Sequence, residues 1–124
     1  MRLLLASLAI AAAAPSTAQR DRVPPATPAG EPVRCIPITL IRESQVRSDR
    51  VIDFIMKNRK VYRNTLPSRC PGLGFERRFS YTTSLSQLCS VDIITVLLIT
   101  PVQRGASCGL GSFQPVTLDR GRRR

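Results

Sequence analysis

Histidine is absent from this chain of 124 residues. Its absence removes the commonest general base near neutrality, most metal sites, and the ordinary Ser-His and Cys-His nucleophile pairs. Acids are few, 8 against 19 basic residues. Asp49 and Asp53 are four apart on a strand pattern, which gives no paired-carboxylate geometry for glycosidase-type chemistry. Lysine occurs only as Lys57 and Lys60, and no S-x-x-K spacing ties either to the hydroxyl-rich stretch Ser80 to Ser86. The cysteines Cys35, Cys70, Cys89 and Cys108 are 35, 19 and 19 positions apart, so the close pairs of zinc sites and of C-x-x-C redox motifs are missing. Gly72-x-Gly74 and Gly109-x-Gly111 lack the G-x-G-x-x-G pattern of phosphate loops. Aromatics are scarce, and Phe54, Phe75, Phe79, Phe113, Tyr62 and Tyr81 are expected in the core or in hairpins. No repeat occurs. The expectation is a chain that is not an enzyme, with no catalytic residue, metal or cofactor.

Long apolar runs are also missing. A bilayer span needs about 20 apolar residues. Val91 to Ile99 is shorter and contains Asp92, and Leu3 to Ala14 is likewise too short for a stable anchor. The second run follows Met1-Arg2 and precedes Pro15-Ser16-Thr17-Ala18-Gln19, with small residues at −3 and −1 of a cut between Ala18 and Gln19. This is the pattern of a secretory signal over residues 1–18. No cysteine follows it for lipid attachment. Export leads to an oxidising compartment, periplasmic or extracellular, where four cysteines form disulfides. The mature chain would run from Gln19 to Arg124, 106 residues in a single domain.

Within that chain, residues 19–32 hold Pro24, Pro25, Pro28, Gly30 and Pro32 and read as a solvated linker. Residues 33–118 read as the folded domain, and residues 119–124 as a basic tail. The formal charge is +11, or +10 once Arg2 is lost. The excess is almost all arginine and is dispersed along the chain. It reflects either an anionic partner or a composition rich in Arg, Ala, Pro and Gly codons. For the first alternative, Arg120, Arg122, Arg123 and Arg124 are candidate anion contacts, and the partner would be nucleic acid, anionic polysaccharide or lipid. The partner is otherwise unknown; an envelope protein is the other possibility the composition leaves open.

Turn chemistry divides the domain into five or six strands, giving a mainly β fold: a small antiparallel sheet, partial barrel or sandwich stapled by two disulfides. Val33 to Arg42 is a first strand, with Pro37 placing it at an edge or a bulge. Val51 to Lys57 and Lys60 to Leu66 form a hairpin across Asn58-Arg59, or across a four-residue loop Lys57 to Lys60. This places Met56 opposite Val61, Ile55 opposite Tyr62 and Phe54 opposite Arg63. Leu66 to Gly74, with two prolines and two glycines, excludes regular structure. Phe75 to Thr83 is a further strand, Val91 to Thr100 a central and fully buried one, and Ser107 to Leu118 the last. Asp92, beside Cys89, is expected to accept backbone or arginine hydrogen bonds. Among three connectivities, the preferred one pairs Cys70 with Cys89 across the Phe75–Thr83 segment and Cys35 with Cys108, joining first strand to last.

Val61-Tyr-Arg-Asn-Thr-Leu66, Cys70-Pro-Gly-Leu-Gly-Phe-Glu-Arg, Phe79-Ser-Tyr, Leu88-Cys-Ser-Val-Asp92 and Cys108-Gly-Leu-Gly together span most of Cys35 to Phe113. This arrangement resembles a family of short exported four-cysteine proteins from sphingomonad-type α-proteobacteria, a domain of unknown function. The resemblance implies a Gram-negative envelope or secreted location and supports pairing of the four cysteines. It transfers no activity, ligand or catalytic residue.

Overall fold

The computed structural model describes residues 23–83, 85–99 and 102–119. The strands are β1 (Ala26–Pro28), β2 (Cys35–Pro37), β3 (Ile41–Val46), β4 (Val51–Met56), β5 (Val61–Thr65), β6 (Phe79–Tyr81), β7 (Gln87–Cys89), β8 (Ile93–Ile99), β9 (Val102–Gly109) and β10 (Phe113–Leu118). A 3₁₀ turn covers Ile38–Leu40, and one helical turn, α1, covers Leu73–Glu76. All strand pairs are antiparallel, in sheets ordered β1-β10-β5-β4-β3, β6-β8-β9 and β2-β7, and none closes into a barrel. The mainly β, antiparallel, doubly stapled fold is as expected. The strands number ten instead of five or six among the described residues because the expected runs break. Val33 to Arg42 divides at Pro37 into β2 and the 3₁₀ turn, and Ser107 to Leu118 divides at Gly111 between β9 and β10.

The β4–β5 hairpin forms where the two apolar runs meet, but its register is shifted by one residue. Ile55 pairs with Val61, Phe54 with Tyr62 and Asp53 with Arg63. The cause is a three-residue loop. The Arg59 N–H donates to the Met56 carbonyl at 2.9 Å, closing a turn, and Arg59 itself adopts φ 71°. A turn followed by one left-handed residue is the usual three-residue hairpin connection, normally with glycine at that place. Because side chains alternate, a one-residue slip exchanges the faces of a whole strand. In the observed register Phe54 and Ile52 enter the core, while Asp53 stands between Gln45 and Arg63 in a polar cross-strand row.

The proline-rich segment is in part ordered. Ala26, Thr27 and Pro28 pair with Leu118, Thr117 and Val116, so the linker expected over residues 19–32 contains the edge strand of the larger sheet. Proline is tolerated there because an edge strand has one side free of ladder bonds. Phe75 to Thr83 also differs from expectation: strand begins only at Phe79. Gly72, at φ 84°, starts a helical turn, and the carboxylate of Asp49 fixes it by accepting from the Gly74 N–H at 2.7 Å. Phe75 consequently projects into solvent, 87% exposed. β8 is central in its sheet but not fully buried. Ile94 and Val96 face inward, whereas Ile93 and Ile99 are exposed.

The core lies between the five-stranded and three-stranded sheets. Phe54 of β4 meets Phe113 of β10 edge-on, with centroids 5.5 Å apart, and Phe79 of β6 at 6.3 Å. Edge-to-face pairs of this kind add about 0.5–1.5 kcal/mol beyond area burial. Ile36, Ile52, Leu66, Leu73, Leu88, Ile94 and Val96 fill the space around them.

The disulfides are Cys35–Cys89 and Cys70–Cys108, which replaces the expected pairing. That expectation placed the first strand beside the last. The chain does meet β10 through the bridge Val33–Phe113, but two residues later Cys35 is in β2 and directly opposite Cys89 of β7. Cys70 is fully buried in the loop after β5 and reaches Cys108 on β9. This second bridge ties the larger sheet's connecting loop to the smaller sheet.

Candidate functional site

The few acids are largely engaged in structure. Asp53 is fully buried; Arg63 donates to it from Nε at 2.8 Å and Nη2 at 3.0 Å, and Arg47 Nε donates at 2.9 Å. The fork geometry of arginine matches two carboxylate oxygens at once. Asp49 accepts from Arg69 Nε at 2.9 Å and from the Gly74 N–H. Asp92 Oδ2 accepts from the Cys89 N–H at 2.6 Å, as expected of an acid in this position. Asn64, also fully buried, bonds to both backbone groups of Gly111, donating to its carbonyl at 2.7 Å and accepting from its N–H at 2.8 Å. A side chain at Gly111 would strike the Thr65 carbonyl, so glycine is required there.

The remaining cations are exposed. Arg34, Arg42, Lys57, Arg59, Lys60, Arg77, Arg78 and Arg104 form no ion pair among the described residues. Two of them share the outer face of the β6-β8-β9 sheet. Arg104 pairs with Leu97, and the Leu97 N–H donates to the carbonyl of Arg78, so Arg78, Leu97 and Arg104 form one cross-strand row. Strands lie ~4.8 Å apart, which sets the two arginine Cα atoms about 10 Å from each other. The next row is Ser80, Thr95 and Ser107, with the last two hydroxyls 3.0 Å apart. Beyond it a shallow depression of about 380 Å³ is lined by Ser80, Thr82, Asp92, Ile93, Thr95 and Arg104, among others. Such a surface offers fixed charge and hydroxyl donors and acceptors. Ser80 and Thr82 line this depression, whereas Lys57 and Lys60 line another cavity.

That other cavity, of about 410 Å³, lies between the 3₁₀ turn and the tip of the β4–β5 hairpin. Its walls are mainly Pro37, Leu40, Met56 and Tyr62, and both lysines stand at it. Lys57 N–H donates to the Leu40 carbonyl at 2.8 Å, fastening the hairpin tip to the 3₁₀ turn.

Arg120, Arg122, Arg123 and Arg124, together with the expected cut at Ala18–Gln19, lie outside the described residues. Among the described residues, no helix is long and apolar enough to cross a membrane, and no group of three or more His, Cys, Asp and Glu stands together. The Arg78–Arg104 row was not legible from sequence because it depends on which strands are neighbours. The cavity had one signal, three cations within Lys57-Asn58-Arg59-Lys60 beside apolar runs. No family model, curated protein or solved structure matches this chain.

Proposed function

We propose that this chain is an exported, non-enzymatic binding domain of the cell envelope whose partner is an anionic polysaccharide. The carrying observation is the outer face of the smaller sheet, where Arg78 and Arg104 flank Leu97 and adjoin the hydroxyl row Ser80–Thr95–Ser107. The guanidinium groups supply charge-assisted contacts to carboxylate or sulfate, and the hydroxyls supply neutral contacts to sugar hydroxyls. Two disulfides, the signal-like N-terminus and the resemblance to exported four-cysteine proteins support a periplasmic or secreted location. Arg120, Arg122, Arg123 and Arg124 are further candidate anion contacts read from the sequence.

The test uses the oxidised protein and two polymers of equal length, alginate and neutral dextran. Binding to alginate should weaken steeply between 50 and 200 mM salt, on the order of tenfold or more for a few neutralised charges. The double variant Arg78→Gln/Arg104→Gln should bind at least about tenfold more weakly at unchanged stability, since both side chains are exposed. Equal binding of alginate and dextran, or an unaffected double variant, would sink this reading. Stronger binding to single-stranded DNA than to alginate would transfer it to nucleic acid. Location is checked by the intact mass of protein from the host envelope: a start at Gln19 and a mass four hydrogens below the reduced form are expected.

A further inference from the structure

We infer that the cavity beneath the β4–β5 hairpin tip is a second binding site, for a monomeric amphiphile with one anionic head and an apolar body, such as a medium-chain fatty acid. Its size falls within the ~300–1,000 Å³ of small-molecule sites. Its two ends differ in chemistry. The inner walls are Met56, buried, together with Pro37 and the ring of Tyr62. Leu40, 48% exposed, leaves one side open for entry. The rim carries Lys57 and Lys60, the only lysines of a chain whose other cations are all arginine. Neither forms an ion pair among the described residues. Lys60 is exposed, and its Nζ sits 5.1 Å from the Tyr62 ring centroid, which places the ammonium beside the apolar wall.

The rim is also held rigid. Asn58 Oδ1 accepts from the Lys60 N–H at 2.9 Å, and the Met56 N–H donates to the Lys60 carbonyl at 2.8 Å. Arg59, between the two lysines, keeps a left-handed backbone that glycine would adopt more easily. Both lysines line the same cavity, so an anionic head at its rim meets two positive charges. A single carboxylate or phosphate head satisfies both, while its tail covers the surface of Met56, Leu40 and Tyr62. A neutral apolar ligand leaves the cations unpartnered, and a hydrophilic anion leaves the walls wet.

The experiment titrates the oxidised protein with decanoate below its micellar concentration, with decanol as the neutral control, and follows calorimetry and amide chemical shifts. Decanoate should bind with shifts centred on residues 37–41 and 56–62. It should bind about tenfold or more tightly than decanol, as for loss of one charge-assisted contact. Lys57→Gln/Lys60→Gln should remove that preference, and Leu40→Ser should weaken both ligands; the substituted side chains are exposed, so the fold is retained. Arg78→Gln/Arg104→Gln should leave decanoate binding intact, which separates this site from the polysaccharide face. Equal affinity for decanoate and decanol, shifts elsewhere, or an unaffected lysine double variant would overturn the inference. Lysine-dependent binding to anionic phosphatidylglycerol vesicles without binding to monomeric decanoate would also overturn it, in favour of a membrane surface.

Discussion

Asp53 shows how one residue can be both polar and central. It sits at zero exposure on β4, and its two oxygens receive three hydrogen bonds from Arg47 and Arg63. Arg63 further donates to the Pro24 carbonyl at 2.8 Å, so the same guanidinium reaches the segment that leads into β1. Removing one partner of a buried ion cluster leaves the other charges desolvated, at about 3–5 kcal/mol. Asp53→Ala should therefore lower the urea midpoint by an amount equivalent to that loss. A change below about 1 kcal/mol would mean that water reaches the two guanidinium groups once the carboxylate is gone. At this scale the sequence was only partly legible. The sequence showed Asp53 only as an acid four residues from Asp49 on a strand pattern. Its role as the anchor of two arginines was not visible, because it requires the Asp53–Arg63 register.

That register is a property of an element, the β4–β5 hairpin. The two apolar runs predicted the strands and their partnership. They did not predict the loop length, because Arg59 is an unusual residue for a left-handed position and gives no local sign of adopting it. The energetic cost of that conformation for an L-residue with a Cβ is roughly 1 kcal/mol. Arg59→Gly should accordingly raise stability by up to about 1 kcal/mol, read as an increase in urea midpoint with unchanged slope. If the variant is destabilised, the arginine side chain contributes contacts that outweigh the backbone strain. The same kind of loss affected Phe75. Its neighbours Phe79 and Tyr81 marked a strand correctly, but Gly72 and the Asp49 contact bend the preceding residues into a helical turn and turn Phe75 outward. β8 was recognised as central from its β-branched run. Its outer face stayed open because no element of the described structure covers Ile93 and Ile99.

For the whole molecule, the decisive feature is the pair of cross-links. Composition made two disulfides legible, and the mainly β class followed from turn spacing, but connectivity depended on strand order. A core built from three small sheets gains much from closure. In the chain-entropy description, bridges spanning 54 and 38 residues each restrict the unfolded chain by about 4 kcal/mol. A domain of this size has only ~5–15 kcal/mol of stability in total. Cys70→Ala/Cys108→Ala should thus lose about 4 kcal/mol, measured by urea denaturation against the oxidised parent. Retention of nearly full stability would show that core packing and the Cys35–Cys89 bridge hold the sheets together without the Cys70–Cys108 bridge.

The placement of β1 beside β10 has a temporal consequence. Ala26 pairs with Leu118, and the Asp119 N–H donates to the Pro25 carbonyl at 2.9 Å. If the chain is exported N-terminus first, as proposed above, β1 is delivered at the start of its passage and β10 only at the end. The larger sheet cannot close behind the leading segment, since β10 also separates β1 from β5. Under the proposed export, strands β3, β4 and β5 can pair before β10 emerges, whereas β1 finds its partner only when the last strand arrives.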